Sequence, residues 1–263
     1  MYSERGVLTN PEVEKMILNA DSLENKNVDP LIELYFRLRV KAVVALAKKF
    51  GKRRSEIVSL KMNDLRIDSE YLFVTFNLRK KHKCGFFQYL QFLQEEDPDS
   101  LDKPHNVLKL EWRDWTLTER GYDLKKDTRT KKVSVRDKYA KMIWKYRMFL
   151  RENFPDVNFL FPSGRMVFGE YYKIIGDKHL TGSHLLELVK QLDPKCWLHL
   201  FRETKGSEIA KRLGHTLTAV YTVRDVLDLV KESTAFRYIR RYGIQEMESE
   251  IEVEEEETED NNE

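Results

Sequence analysis

Residues 29–51 carry a long helical pattern, and this segment limits the fold of the chain more than any other. Hydrophobic side chains recur there at helical spacing, and they are Leu31, Leu34, Leu38, Ala42, Ala45 and Leu46. Gly51 follows directly, and glycine is the residue that most often ends a helix. The sequence therefore predicts a long helix that stops at Gly51.

Most of the other segments also have helical patterns. An Asn followed by a Pro predicts a short helix from about Asn10, and Ser55 is the expected cap of a helix in "RRSEIVSLKMNDLRI". Further helices are expected at 138–153 and in "GSHLLELVKQL", "GSEIAKRLG", "AVYTVRDVLDLV" and "STAFRYIRRYG". The segment "EYLFVTFNLRKK" predicts a strand that ends in a basic turn. We expect one or two more strands in "NVLKLEWRDWTL" and a loop in "FPDVNFLFPSGR".

This order of elements predicts a mainly α fold with a small antiparallel β-sheet (α+β). We expect an N-terminal extension at 1–28, one domain at 29–245 with an insertion at about 84–130, and a disordered acidic tail at 246–263. The sequence has no apolar run of about eighteen residues and no signal pattern at its start. We therefore expect a cytoplasmic protein with no membrane partner.

The net charge of +2 conceals a division along the chain. Eleven of the 44 acidic residues lie in 246–263, where there is no Lys or Arg, so the first 245 residues carry a formal charge of +13. A nucleic acid backbone is the commonest partner of such a body, because binding releases its condensed counterions. A solvated lysine-rich surface is the alternative. The tail is either a solubilising segment or a competitor of DNA.

Several basic groups are predicted to lie where elements begin or end. Arg53 follows the helix stop, and Glu56 is close enough in sequence to orient its guanidinium. His199 and Arg202 are expected where an extended segment meets a helix, beside Trp197 and Phe201. Together they form either a buried structural hydrogen bond or half of a phosphate-binding site.

These segments resemble motifs of the tyrosine recombinases, or phage integrases, and in particular of their archaeal members. "GKRRSEIVSL" matches the motif of the first catalytic Arg, with Arg53 in that position, and "HLFR" matches His-x-x-Arg with His199 and Arg202. "TAFRYIRRYG" matches the nucleophile segment with Tyr238. The basic turn in "FNLRKKHK" matches the segment that carries the catalytic Lys. With it, four motifs follow one another in the family order over residues 30–243.

The resemblance implies a DNA strand-breaking enzyme, of a virus or mobile element, that acts on double-stranded DNA through a 3′-phosphotyrosine. Arg53 and Arg202 are the implied phosphate ligands, His199 adds a donor or moves a proton, and Tyr238 attacks the phosphorus. Lys80 or Lys81 is the implied general acid. Homo-oligomers on DNA are implied as well.

The sequence also departs from the family pattern. Glu203 follows the second Arg, where the family often has His, and Lys231 is expected in place of the second conserved His or Trp. His215, in "RLGH", imitates that motif but suits the start of the next helix better. Tyr242 competes with Tyr238 as the nucleophile, whereas Tyr221 is expected in the core.

Two rival functions remain open from the sequence. One is a non-catalytic DNA-binding protein on the same fold, and the other is strand relaxation like that of a type IB topoisomerase. The chain has no Gly-rich phosphate loop and no Asp, Glu and His cluster with metal-ligand spacing. We therefore expect no metal, no ATP, no other cofactor and no small-molecule substrate.

Overall fold

The computed structural model describes residues 7–23, 29–83, 85–116, 122–167, 171–214, 216–229 and 232–239, without the side chains of 78–83, 122–127, 166 and 171. The chain divides into two compact units. The first comprises residues up to Thr75 and from Thr130 onwards, and the second comprises Phe76–Arg129.

The first unit is mainly helical. Its helices are α1 (Asn10–Asp21), α2 (Pro30–Phe50), α3 (Arg54–Val58), α6 (Lys138–Asn153), α7 (Gly182–Leu192), α8 (Leu198–Leu213), α9 (Leu217–Val226) and α10 (232–239). The numbering leaves α4 and α5 to the second unit. A 3₁₀ turn at Met62–Asp64 follows α3. The helices predicted near Asn10, at 30–50, at 138–153 and at 182–192 are thus confirmed.

Helix α2 is the core element of this unit. Asp29 caps it by accepting a hydrogen bond from the Leu31 amide, with Pro30 in the first turn. Twelve of its 21 residues are buried, because α1, α6, α7 and α8 all pack against it. Gly51 ends it in the left-handed conformation, with a φ of 56°. The predicted stop is confirmed, and it fixes the point at which the next segment departs.

In the ranges that the structure describes, the strands form two small sheets. Strand β1 (Leu65–Ile67) pairs with β2 (Tyr71–Lys83), with Leu65 opposite Val74, and β2 lies between β1 and β3 (Tyr122–Ser134). Strands β4 (Pro162–Val167) and β5 (Tyr171–His179) form a separate antiparallel pair. The loop predicted for "FPDVNFLFPSGR" was wrong from Pro162 onwards, where β4 begins. These residues have no strand pattern of their own, and their pairing with β5 makes them a strand. The mainly α fold with a small antiparallel sheet is confirmed.

The second unit contains two helices, α4 (Phe86–Glu96) and α5 (His105–Trp115), joined through a 3₁₀ turn at Pro98–Asp102. Tyr89, Leu93 and Leu108 are its buried cluster, and Trp112 and Trp115 pack against them. The strands predicted in "NVLKLEWRDWTL" were wrong. Its apolar residues are spaced to meet α4 on one helical face, and that tertiary contact outweighs the strand preference of Val and Trp.

We predict that Gly51→Ala destabilises the protein by about 1–3 kcal/mol, because an L side chain is strained at positive φ. A Cβ there would also stand 2.8 Å from Leu227 Cδ2 and 3.1 Å from Lys205 Cβ. Urea denaturation measures the free energy of unfolding. Gly85→Ala is the matched control, since a Cβ at Gly85 would meet only Gln88 Oε1 at 3.7 Å. Equal effects of both substitutions would contradict the prediction.

Candidate active site

Arg53 lies at the corner between α2 and α3, two residues after Gly51. Its Nη1 donates to Glu56 Oε1 at 2.8 Å, and its backbone N–H donates to Glu56 Oε2 at 3.0 Å. The carboxylate is buried, whereas 45% of the Arg53 side chain is exposed. Arg53 itself, not Ser55, is the residue that precedes the helix, so the predicted cap was wrong. Glu56 therefore orients the Arg53 guanidinium through Nη1, while nearly half of the side chain stays exposed.

Arg202 lies in α8 and is almost wholly buried, with 1% of its surface exposed. Its Nη1 donates to the Gly51 carbonyl at 2.8 Å, and its Nη2 donates to the Leu227 carbonyl. Burial lowers the pKa of its guanidinium, and the nearby Arg53 lowers it further, whereas Tyr238 and Glu56 act in the opposite direction. The structure thus brings Arg53 and Arg202 together at one corner of the fold.

Tyr238 reaches this corner on α10. Ala235 and Ile239 of α10 are buried against α8 and α9, in a cluster that also includes Leu227. A Cβ on Gly206 of α8 would stand 3.0 Å from Tyr238 Cβ, so the two helices meet where α8 has no side chain. Gly206 is one helical turn from Arg202, and Tyr238 is half-buried beside it. The structure therefore brings Tyr238 to the arginine pair.

His199 lies at the start of α8, which begins at Leu198 after the extended Trp197. Its side chain is 57% exposed, and its Nε2 lies 3.7 Å from Glu203 Oε1. His199, Trp197 and Arg53 line one cleft of about 310 Å³, together with Arg54, Ser55, Leu186 and Leu198. Phe201, by contrast, is buried in the core. His199 is therefore a surface group at the mouth of the cleft that contains Arg53.

Neither Arg202 nor Tyr238 is among the described residues that line this cleft. Lys80 and Lys81 lie within β2, which continues to Lys83, so the turn predicted at these lysines was wrong. Their side chains are not among those that the structure describes. Lys231, Tyr242 and His215 also lie outside the described residues. Tyr221 is 44% exposed on α9, so its predicted place in the core was wrong. Leu217, one turn before Tyr221, is exposed on the same face of α9.

A buried charge network lies beside Arg53, and no motif in the sequence indicates it. Lys52 is 1% exposed and forms an ion pair with Asp228, whose other oxygen lies 3.2 Å from Lys131 Nζ. Asp228 follows α9 with a φ of 49°, in the left-handed region. Lys131 also donates to the Asp225 carbonyl at 2.8 Å. The one signal in the sequence is that Lys52 precedes Arg53 and Arg54, so that three cations follow one another in "KRR".

The network sets the protonation of its members. Burial raises the pKa of Asp228, but Lys52 and Lys131 outweigh it, so the net pKa is below the usual range. Burial lowers the pKa of Lys52, against the opposing effect of Asp228. A carboxylate shared by two ammonium groups is ionised at neutral pH.

Within the part of the chain that the structure covers, no three His, Cys, Asp or Glu side chains come together as a metal site requires. Nor, in those same ranges, is any helix long and apolar enough to cross a membrane.

Three solved structures share the fold of this chain. One is XerH site-specific recombinase bound to difH substrate in a pre-cleavage complex, with a TM-score of 0.51, 15% identity, and coverage of 93% of this chain and 53% of that one. A second is XerH bound to palindromic difH substrate in a post-cleavage complex, with a TM-score of 0.53, 15% identity, and coverage of 95% and 53%. The third is XerA recombinase, with a TM-score of 0.51, 15% identity, and coverage of 95% and 65%.

The fold is therefore that of the tyrosine recombinases, as the sequence motifs predicted. At 15% identity the likeness concerns the fold alone, and this chain spans between about half and two thirds of the length of the recombinases it matches. A scan against protein-family models gives no match, and a search among curated proteins gives none either.

We predict that Asp228→Asn lowers the free energy of unfolding by about 3 kcal/mol or more at pH 7, because it leaves Lys52 buried without its carboxylate. Asn tolerates the left-handed conformation, so the backbone is not strained. Urea denaturation measures the loss. The exposed Asp225→Asn is the control, with an expected effect below about 1 kcal/mol.

The difference in unfolding free energy between the wild type and Asp228→Asn depends on pH. Asp228 has a lowered pKa in the folded protein, so its contribution is present above the unfolded value of about 3.9 and is lost as the pH falls through the folded value. The difference between wild type and Asp228→Asn should therefore shrink on acidification. A difference that stays constant from pH 7 to pH 3 would contradict the assignment.

Proposed function

We propose that this protein is a site-specific recombinase or integrase of the archaeal type, which breaks and rejoins DNA strands through a 3′-phosphotyrosine. The observation that carries the proposal is the meeting of Arg53, Arg202 and Tyr238 at one corner of a tyrosine recombinase fold. The +13 charge of the first 245 residues supports a DNA partner, and so do the DNA substrates bound to the XerH neighbours. Homo-oligomers on DNA belong to the same proposal.

The two arginines supply the charge stabilisation that phosphoryl transfer requires. Negative charge grows on the two non-bridging oxygens in the transition state, and a guanidinium is permanently charged and offers paired donors to such oxygens. Arg53 is exposed enough to approach a phosphate directly. Arg202 uses two N–H groups for carbonyls, and a guanidinium has five. Arg202 also has a side-chain hydrogen bond with Tyr238, and the N–H groups left over are the proposed donors to the phosphate.

In the proposed reaction Tyr238 Oη forms a bond to phosphorus while the bond from phosphorus to the 5′ oxygen breaks. The phenol loses its proton, for which His199 at the cleft mouth is the proposed acceptor, and the leaving 5′ oxygen receives a proton from Lys80 or Lys81. A free phenol has a pKa of about 10, and the surrounding cations favour the phenolate. Attack by a 5′ hydroxyl reverses each bond change and releases Tyr238, so rejoining needs no further energy source.

One observation favours a second candidate, a non-catalytic DNA-binding protein. Arg202 is almost wholly buried and bonds to two backbone carbonyls, which a purely structural arginine would also do. Strand relaxation of the topoisomerase kind would use the same residues as recombination. The experiments below separate these candidates.

We predict that the wild-type protein forms an SDS-resistant adduct with a nicked DNA substrate that traps cleavage, and that Tyr238→Phe abolishes it. Removal of the phenolic oxygen removes the attacking atom together with its hydrogen bond to Arg202. Tyr221→Phe, on the exposed face of α9, is the matched control and should form adduct at the wild-type rate. An adduct lost with Tyr242→Phe but kept with Tyr238→Phe would contradict the choice of nucleophile. Absence of adduct in the wild type would favour the DNA-binding module, and relaxation without strand exchange would favour the topoisomerase.

We predict that Arg53→Lys and Arg202→Lys both reduce the rate of adduct formation by at least about 100-fold, because each removes a phosphate donor. Only Arg202→Lys should also destabilise the fold, by about 1–3 kcal/mol, since an ammonium group cannot serve both carbonyls. Single-turnover cleavage and urea denaturation measure the two effects. If Arg202→Lys lost stability but kept the cleavage rate, Arg202 would have a structural role alone.

A further inference from the structure

A second cleft, separate from the one that contains Arg53, is lined by four lysines. It has a volume of about 310 Å³ and lies between the end of α2, strand β3 and helix α8. Its lining is Lys49, Lys131, Lys132 and Lys205, with Phe50, Val133 and Val226. No residue lines both clefts. All of these residues belong to the first unit.

The cleft keeps an excess of positive charge although most of its lysines are paired. Lys131 and the buried Lys52 share Asp228, and Lys205 shares Glu208 with Lys48. Lys49 pairs with Asp137 alone. Among these described contacts, five lysines thus meet three carboxylates. The sixth lysine, Lys132, lies over the Tyr71 ring with its Nζ 4.4 Å from the ring centroid.

The partial burial of the cleft lysines strengthens the electrostatic effect of this excess positive charge. The side chains of Lys49, Lys131 and Lys205 are only 25–27% exposed, so much of their surface is out of contact with water. Charges in such a setting are screened less than those on an open surface. A concave site lined by several ammonium groups suits a phosphate group, which accepts from several donors at once.

We propose that the lysine cleft, formed by Lys49, Lys131, Lys132 and Lys205, binds a DNA backbone phosphate that does not react. The inference rests on the proposed function, and it assigns to the cleft a positioning role beside the cleavage site.

The position of the cleft favours DNA over a free phosphate compound. Lys205 lies one helical turn after Arg202 on α8, about 4.5 Å along the helix axis. Both residues meet Gly51, Arg202 at the carbonyl and Lys205 at the face where a Cβ would point. Successive phosphates of one DNA strand are about 3.4 Å apart along the duplex axis. A strand held at Arg202 therefore carries further phosphates within reach of the lysine cleft.

The experiment measures how DNA affinity depends on salt, by equilibrium binding of a duplex to the full chain. Each phosphate contact contributes about 0.9 to the slope of log affinity against log salt. Lys132→Gln and Lys205→Gln should each reduce the slope by about 1. Lys145→Gln, an exposed lysine of α6 outside the cleft, is the matched control and should leave it unchanged. Circular dichroism melting confirms that each variant is folded, and Lys132, whose side chain is exposed, is the variant least expected to disturb folding.

Titration with pyrophosphate provides a second arm. If pyrophosphate binds in a manner that Lys132→Gln weakens, while the duplex slope is unchanged, the cleft takes free phosphate compounds and the DNA assignment is overturned. An equal fall in slope for Lys145→Gln would overturn the cleft as a distinct site. The wild-type adduct tests the proposed function separately. A reduced slope without any adduct would leave the lysine cleft supported in a protein that binds DNA without cutting it.

Discussion

One buried guanidinium holds together the segments on which the candidate site depends. Arg202 bonds from α8 to the Gly51 carbonyl, at the end of α2, and to the Leu227 carbonyl, at the end of α9. A guanidinium does not lose its proton in proteins, so its burial is tolerable only where its donors are satisfied. The two carbonyls are therefore a condition of the fold, and Arg53, two residues beyond Gly51, takes its position from them.

The same bonds explain how Tyr238 arrives from a distant part of the sequence. Leu227 belongs to the apolar cluster that also buries Ala235 and Ile239 of α10. Fixing Leu227 therefore fixes the surface on which α10 packs, and Gly206 allows α10 to approach α8 closely. The hydrogen bonds of Arg202 to the two carbonyls therefore stabilise the fold and also position the candidate site residues. A change at Arg202 acts on both. The Arg53 side chain, by contrast, is 45% exposed, bonds to Glu56 and lines the cleft, so a change there acts mainly on the cleft.

The sequence predicted features that depend on local pattern and missed those that depend on distant partners. The end of α2 at Gly51 was correct because one glycine decides it, and α6 was correct because its helical pattern covers 138–153 without a break. Strand β4 was missed because only its pairing with β5 makes it a strand, and α5 was mistaken for strands because its partner is α4. The ion pair of Lys52 with Asp228 joins residues 176 positions apart, which no local pattern could indicate.

The buried and half-buried cations of this fold have fewer anionic partners than their number, so positive charge is left over in the folded state. Arg202 is held by carbonyl dipoles, which carry partial charge, and Asp228 and Glu208 each serve two lysines. Like charges held this close repel one another and reduce the stability of the compact state. An anion that binds the folded protein removes that repulsion and stabilises the fold by mass action. A phosphate backbone lying across the corner at Gly51 would therefore stabilise the same contacts that position Arg53 and Tyr238, so the proposed DNA binding would be energetically linked to the organisation of the site.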